Sequence, residues 1–222
     1  MRRPARFIAF ASLSAALCSA ALPLAATAAP ASDSASIQSE WRPQQIRYSY
    51  TAFTTAYECD AAATKIKDIL TTLGALPQTK VSATGCDMNR PSRMFFITIT
   101  TATPVAVSGD RTTPAARGEQ AVIEKLGGRH VVSTEPFAAA WRTVDLSKDR
   151  KLDLQPGDCE LMEGLRDHVL PKIGVKVIND QVQCFPNTLS IQTPQLQVSA
   201  LVPVNRLGVE TAARMTPKSP AS

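Results

Sequence analysis

Several chemical signatures are scarce or missing in this chain of 222 residues. It has two histidines, His130 and His168, and neither an H-x₃-H pair nor a C-x-x-C motif, so the sequence predicts no metal site. The G-x-S-x-G and S-x-x-K motifs of serine nucleophiles are absent, as are the G-x-G-x-x-G and P-loop motifs that bind nucleotides. We therefore expect no cofactor and favour a protein without catalytic activity. An exported hydrolase that uses His130 or His168 is the alternative, because the members of a catalytic triad need not be close in sequence.

Long basic runs and membrane spans are also missing after the first 28 residues. Those residues contain three arginines and no acid, so their removal lowers the formal charge from +5 to +2. No later segment is rich in lysine and arginine, which disfavours a nucleic-acid partner. No later apolar run approaches the roughly 20 residues of a transmembrane helix, and we expect no stable membrane insertion.

The start of the chain has the pattern of a secretory signal peptide. Three arginines precede an apolar, alanine-rich stretch over residues 7–25, and Ala26-Thr27-Ala28 supplies the small residues of a cleavage site. We interpret residues 1–28 as a cleaved bacterial-type signal, with residues 29–40 and 205–222 as flexible ends. The mature protein is then expected in the periplasm or outside the cell.

Four cysteines remain after cleavage, and an even number in an exported chain indicates disulfide bonds. An internal repeat suggests how they pair, because the same landmarks recur in the same order in residues 41–105 and 141–204, on either side of a joining segment (106–140). The landmarks are Trp41, Cys59, Gly74 and Cys86 in the first segment and Trp141, Cys159, Gly174 and Cys184 in the second. The first two spacings are identical in the two segments, and the third differs by two residues. If each segment closes its own bridge, the bonds are Cys59–Cys86 and Cys159–Cys184.

The hydrophobic pattern of each segment indicates an α+β fold of two tandem β-α-β-β units, each with one helix on a small, largely antiparallel sheet. The predicted strands of the first unit are 46–53, 79–86 and 93–102. Its helix has an apolar face of Ile66, Ile69 and Leu70 and ends near Gly74, and Thr55 with Glu58 matches a capping box at its start. The two units either share one sheet or form two lobes; the sequence fits both arrangements.

The second unit and the joining segment are less regular. Pro156 is suited to the first turn of the second helix, and Pro171 to its end. The first strand of this unit is either 141–146 or 150–155, and Asn179-Asp180 is expected to break a later strand. The joining segment contains one predicted short helix, 118–126, and a candidate extra strand, 129–133.

The remaining polar and aromatic residues suggest structural roles. Asp158, Glu160, Glu163 and Asp167 lie on the predicted second helix, where we expect a solvated acidic face instead of an acid–base pair. Tyr48 and Tyr50 should pack beneath a helix, and Trp41 and Trp141 should cover the edge of each core. A reactive thiol at Cys59 is disfavoured, because the neighbouring Asp60 opposes a thiolate.

These features together predict an exported, disulfide-stabilised, non-catalytic binding protein. Its partner would be another protein, a hydrolase that it inhibits, or a cell-surface polymer. A carrier that holds a small ligand or lipid between sheet and helix is a further alternative.

The signal peptide gives a first testable expectation. The secreted or periplasmic protein should begin at Ala29, after loss of residues 1–28. N-terminal sequencing and intact-mass measurement of protein from the envelope fraction check this. Recovery of the full-length chain from membranes would contradict cleavage and indicate an uncleaved anchor.

Overall fold

Three α-helices and six strands make up the described part of the chain, which comprises residues 36–86, 90–107, 117–128, 132–133 and 135–205 of the computed structural model. The strands are β1 (Ile37–Thr51), β2 (Lys80–Thr84), β3 (Met94–Ala106), β4 (Phe137–Asp145), β5 (Lys176–Gln181) and β6 (Gln195–Pro203). The helices are α1 (Cys59–Thr72), α2 (Arg117–Leu126) and α3 (Cys159–His168), and a 3₁₀ turn, Pro156–Asp158, leads into α3. The predicted signal peptide, His130 and most of the predicted tail lie outside these residues. Within this described part, no helix combines the length and apolar character needed to cross a bilayer.

All six strands pair antiparallel in one sheet with the order β2-β3-β1-β4-β6-β5. Three strands from the first half of the chain form one side, and three from the second half form the other. The strand order is symmetric about the β1–β4 pair: β1 corresponds to β4, β3 to β6 and β2 to β5. Three residue pairs, from Ile37–Ala139 to Ser39–Phe137, join β1 to β4. Of the two arrangements that fit the sequence, the shared sheet is the one observed.

One face of this sheet is covered by α1 and α3, and the core between them is continuous. Buried side chains of both helices pack in a single cluster with the alternate, inward-facing residues of the strands. Each helix also approaches a strand from the other half of the chain. Gly74, just after α1, lies against the backbone of Leu201 and Val202 in β6, and Gly164 of α3 lies against the ring of Tyr48 in β1. The two halves are thus packed together as well as paired in one sheet.

The opposite face, which we call the outer face, is covered in part by α2. Trp41 and Ala102 point to this face because they alternate with core residues along β1 and β3. They pack with Val122, Ile123 and Leu126 of α2 in a second, smaller cluster. This helix coincides with the short helix predicted at 118–126. Its main contacts with the sheet are to β1 and β3.

Two strands start earlier than predicted. β1 begins at Ile37, so the predicted flexible segment 29–40 overlaps a strand, and β4 begins at Phe137 inside the predicted joining segment 106–140. The first part of β1 is rich in polar residues and contains Pro43, so it lacks the alternating apolar pattern that predicts a strand. Because β4 leaves β1 after Ser39, Pro43 has β3 as its paired neighbour, and the missing proline N–H is tolerated there.

The second half corrects two further expectations. β4 contains most of the candidate 141–146, whereas residues 150–155 are turns and coil, with Asp153 at a positive φ of 42°. β5 runs through Asn179-Asp180 without ending, and a register shift between Val177 and Asn179 absorbs the irregularity. The predicted extra strand at 129–133 falls mostly outside the described residues.

Two disulfide bonds join Cys59 to Cys86 and Cys159 to Cys184, the pairing expected from one bridge per segment. Each bond ties the first residue of a helix to the chain that follows a strand, β2 in one case and β5 in the other. The Cα atoms are 6.0 Å and 5.7 Å apart, within the usual range for a disulfide. Both cysteine pairs are therefore structural, and Cys59 is not a free thiol.

The glycines after α1 and α3 provide a matched test of how tightly the helix ends are packed. Both glycines have positive φ, 93° at Gly74 and 73° at Gly174. A Cβ atom added at Gly74 would lie 2.6 Å from the carbonyl oxygen of Leu201, whereas one added at Gly174 would have no neighbouring described atom within 4 Å. We expect Gly174→Ala to lower the free energy of unfolding by about 1–2 kcal/mol from backbone strain alone. Gly74→Ala should cost about 3 kcal/mol or more, because β6 must also move. Urea denaturation measures both, and equal losses would contradict the close approach of α1 to β6.

Candidate functional site

A buried carboxylate at the start of α3 binds the loop that follows β1. Glu160 is 8% exposed and accepts hydrogen bonds from the backbone N–H groups of Phe53 (2.7 Å), Thr54 (3.2 Å) and Thr55 (3.2 Å). The Thr54 hydroxyl donates a fourth, at 2.8 Å. Burial opposes ionisation of Glu160, but these hydrogen bonds outweigh it and hold the carboxyl pKa below its ordinary value. The carboxylate therefore fixes the conformation of residues 53–55.

A second buried acid completes this contact. Asp158 is 2% exposed and accepts hydrogen bonds from the Tyr57 hydroxyl, the Lys65 ammonium (2.7 Å) and the Gln155 backbone N–H (2.6 Å). Burial and the hydrogen bond to Asp158 raise the pKa of Tyr57. We call Asp158, Glu160 and their partners the carboxylate junction. It joins the 53–57 loop and α1 to the start of α3.

The prediction of a solvated acidic face on the second helix is wrong for Asp158 and Glu160. Both acids accept hydrogen bonds from residues more than 90 positions away in the first half of the chain, and local sequence patterns do not reveal such partners. The prediction describes Glu163 and Asp167 better, because these acids surround the guanidinium of Arg166 at the surface. The capping box predicted for Thr55 and Glu58 is also wrong, since the Thr55 N–H donates to Glu160 and Glu58 makes no capping hydrogen bond.

The residues considered for catalysis or metal binding do not form a reactive centre in the described part of the chain. His168 is exposed at the end of α3, where its ring stacks on Tyr48 with a centroid distance of 5.7 Å. Its neighbour Asp167 is bound to Arg166. No group of three histidine, cysteine, aspartate or glutamate side chains among the described residues could hold a metal ion. The hypothesis about His130 falls outside those residues.

The paired aromatic residues have unequal environments. Tyr48 and Tyr50 are buried beneath the helices as expected, and burial raises the pKa of both hydroxyls. Trp41 packs against the α2 cluster and contacts the ring of Phe137 at 4.7 Å. Trp141 differs from the prediction, because it is 38% exposed on the outer face and does not cover a core. The ammonium of Lys176 lies 5.5 Å from the centre of its ring.

A surface cavity lies at the end of β4, β6 and β5. It has a volume of about 610 Å³ and combines amide, hydroxyl and charged groups above two buried leucines. Its lining consists of Asp145, Ser147, Lys148, Leu154, Asn179, Thr193, Gln195, Leu196 and Gln197. We call this the amide cleft. The strand register sets Asp145, Gln197 and Asn179 side by side across the three strands, so the polar row is built by the sheet itself.

The hydrogen-bonding capacity of the amide cleft is largely free. Asp145 accepts from the Ser147 hydroxyl at 2.6 Å and the Lys148 ammonium at 2.9 Å, and these contacts, Ser147 foremost, lower its pKa. In contrast, the side chains of Asn179, Thr193, Gln195 and Gln197 make no hydrogen bond to another described residue. Each amide can both donate and accept, as can the threonine hydroxyl. The cleft thus offers paired donors and acceptors with little unbalanced charge.

Such a lining suits a ligand rich in hydroxyl groups. Hydroxyls both donate and accept, so they match amide side chains better than carboxylates or phosphates do. The volume is within the range of about 300–1,000 Å³ for small-ligand sites. A smaller cavity of about 340 Å³ lies between α1 and Leu152, lined by Asp60, Lys65 and Asp68 among others. Neither cavity lies between the sheet and the helices, where a carrier would hold its ligand.

Comparisons with known proteins do not assign the chain to a family. No family model matches it, and neither characterised proteins nor solved structures show a significant match. The function must therefore be inferred from the geometry of the sites.

The carboxylate junction yields a prediction about stability. Glu160→Gln replaces an acceptor of four hydrogen bonds with a neutral amide, and we expect the free energy of unfolding to fall by about 2–3 kcal/mol. Glu163→Gln is the matched control on the same helix and should change it by less than about 1 kcal/mol, because its ion pair with Arg166 is at the surface. Chemical denaturation at neutral pH measures both. A loss no larger for Glu160→Gln than for Glu163→Gln would contradict the junction.

The same pair of proteins gives a pH test of the junction. Because the folded-state pKa of Glu160 lies below its unfolded value of roughly 4.3, ionised Glu160 stabilises the fold above that pH. The contribution is lost as the pH falls through the lower folded-state pKa. The stability difference between the natural protein and Glu160→Gln should therefore be constant above about pH 5 and shrink in more acidic solution.

Proposed function

We propose that this protein is an exported, non-catalytic binding protein that recognises a hydroxyl-rich cell-surface polymer through the amide cleft. The observation that carries the proposal is the row Asp145–Gln197–Asn179, with Gln195 and Thr193 beside it. Four of these side chains have unused donors and acceptors, and the amides among them are neither nucleophiles nor bases. A site of this kind can bind and orient a saccharide.

Export and an oxidising environment are part of the same proposal. The two disulfides require a compartment in which cysteines are oxidised, such as the periplasm or the cell exterior. The signal-peptide pattern of residues 1–28 supports the same location. A surface polymer is a ligand that a protein in either place can meet.

We also propose that the two halves are tandem repeats of one β-α-β-β unit. The symmetric strand order, the matching helices α1 and α3, and one bridge in each half all support this interpretation. Matching positions have diverged: Trp41 is covered by α2, whereas Trp141 remains open. Binding is therefore assigned to the second unit, and the first supports it through the carboxylate junction.

The proposal predicts a selective effect of removing one amide. Gln197→Leu should weaken binding of a saccharide ligand about tenfold, the effect of losing one or two hydrogen bonds. A panel of neutral and acidic oligosaccharides derived from envelope and extracellular polysaccharides, screened by isothermal titration calorimetry, provides the ligand and its Kd.

Gln45→Leu is the matched control. Gln45 is also a half-buried glutamine on the outer face of the sheet, but it lies on β1, outside the cleft, and bonds to Thr100. This variant should bind as the natural protein does. Equal binding by Gln197→Leu, or no binding of any panel member to the natural protein, would contradict the proposed function.

A further inference from the structure

On the outer face, β4 runs from the amide cleft to Trp141. Trp141, Thr143 and Asp145 alternate along β4 and point to the same side, and the strand rise puts the Cα atom of Trp141 about 13 Å from that of Asp145. Between them the register sets Thr143, Ser199 and Lys176 side by side. This arrangement is a polar strip with an aromatic ring at one end and the amide cleft at the other.

The groups along this strip are available to a ligand. Thr143 and Ser199 make no side-chain hydrogen bond to another described residue, and Lys176 makes no ion pair with one. Trp141 exposes 38% of its surface. The corresponding tryptophan of the first half, Trp41, is instead packed beneath α2, so the exposure of Trp141 is not a general property of this position.

Lys176 adds a charge preference at the aromatic end. Its ammonium lies 5.5 Å from the centre of the Trp141 ring. A sugar ring stacked on the exposed part of the indole would bring a ring substituent within reach of this ammonium. A carboxylate is the substituent that an unpaired ammonium binds best. At the cleft end, by contrast, the charges of Asp145 and Lys148 offset each other.

We propose that the ligand is a linear acidic saccharide, which runs from the amide cleft along β4 to stack on Trp141 while Lys176 binds a carboxylate of a sugar unit. This inference rests on the proposed function, because it names the substrate class of the same site. It assigns the cleft the hydroxyl contacts and assigns Trp141 and Lys176 the choice of an acidic over a neutral chain.

The test compares acidic oligosaccharides with their own neutral forms. Oligomers of alginate, hyaluronan and polygalacturonate are each used as the natural uronate and after chemical reduction of the carboxyl groups to alcohols. The acidic form of the best ligand should bind about fivefold more tightly than its reduced form, the effect of one exposed ion pair. Binding should also change the fluorescence of the natural protein, and this change should be reduced in Trp141→Phe.

Two charge variants make the comparison specific. Lys176→Gln should remove the preference for the acidic form without weakening the binding of the reduced form. Arg142→Gln removes an exposed cation that neighbours Trp141 in sequence but points to the opposite face of the sheet, and it should keep the preference. Melting temperatures verify that each variant is folded.

The outcomes separate this inference from the proposed function. If acidic and reduced chains bind equally, and Gln197→Leu weakens both, the cleft is a saccharide site but the assignment of Lys176 is overturned. Persistence of the acid preference in Lys176→Gln overturns it as well. If no saccharide of either form binds the natural protein, both the inference and the proposed function are wrong.

Discussion

The contact on which the rest of the structure depends is the carboxylate junction. Glu160 accepts hydrogen bonds from the backbone N–H groups of residues 53–55. Asp158 accepts hydrogen bonds from the Tyr57 hydroxyl and the Lys65 ammonium. Both acids belong to the second half of the chain, and these partners belong to the first. Since the sheet joins the halves through three residue pairs between β1 and β4, this buried contact is the main polar link between them. Removing either acid would leave buried donors without an acceptor, which is more costly than losing a surface ion pair.

The two faces of the sheet differ in how their polar groups are used. On the helix side, the buried carboxylates of Asp158 and Glu160 are satisfied within the protein, and the disulfides fix the first residue of α1 and of α3. The Tyr48 hydroxyl is buried on the same side without a hydrogen-bond partner among the described residues. On the outer side, α2 covers one end, and the amides and hydroxyls of β4, β5 and β6 are left unpaired in the described part of the chain. A rigid strand lattice then presents these free groups at fixed spacing, which lowers the entropy lost when a ligand binds.

The sequence was sufficient for the features that depend on local pattern or on counting. The α+β class, the apolar face of α1 and the strong β3 strand follow from periodicity and residue type, and the bridge pattern follows from matched spacings. It failed where a distant partner decides the outcome. Glu160 reads as a solvated helix residue because its partners lie in another half of the chain. Trp41 and Trp141 were predicted to have the same role because the helix that covers Trp41 is remote in sequence. The amide cleft was missed altogether, since Asp145 of β4, Gln197 of β6 and Asn179 of β5 form a row only after the register is known.

The most direct test of the account is to observe the cleft amides while a ligand binds. In a ¹H–¹⁵N NMR titration with the best oligosaccharide, the side-chain NH₂ signals of Asn179, Gln195 and Gln197 should shift together and saturate at one Kd. The backbone signals of residues 53–55, held by Glu160 on the other side of the sheet, should stay unchanged. Shifts confined to residues outside the cleft, with the three side-chain amides unaffected, would contradict the claim that the open face of the second half is the binding site.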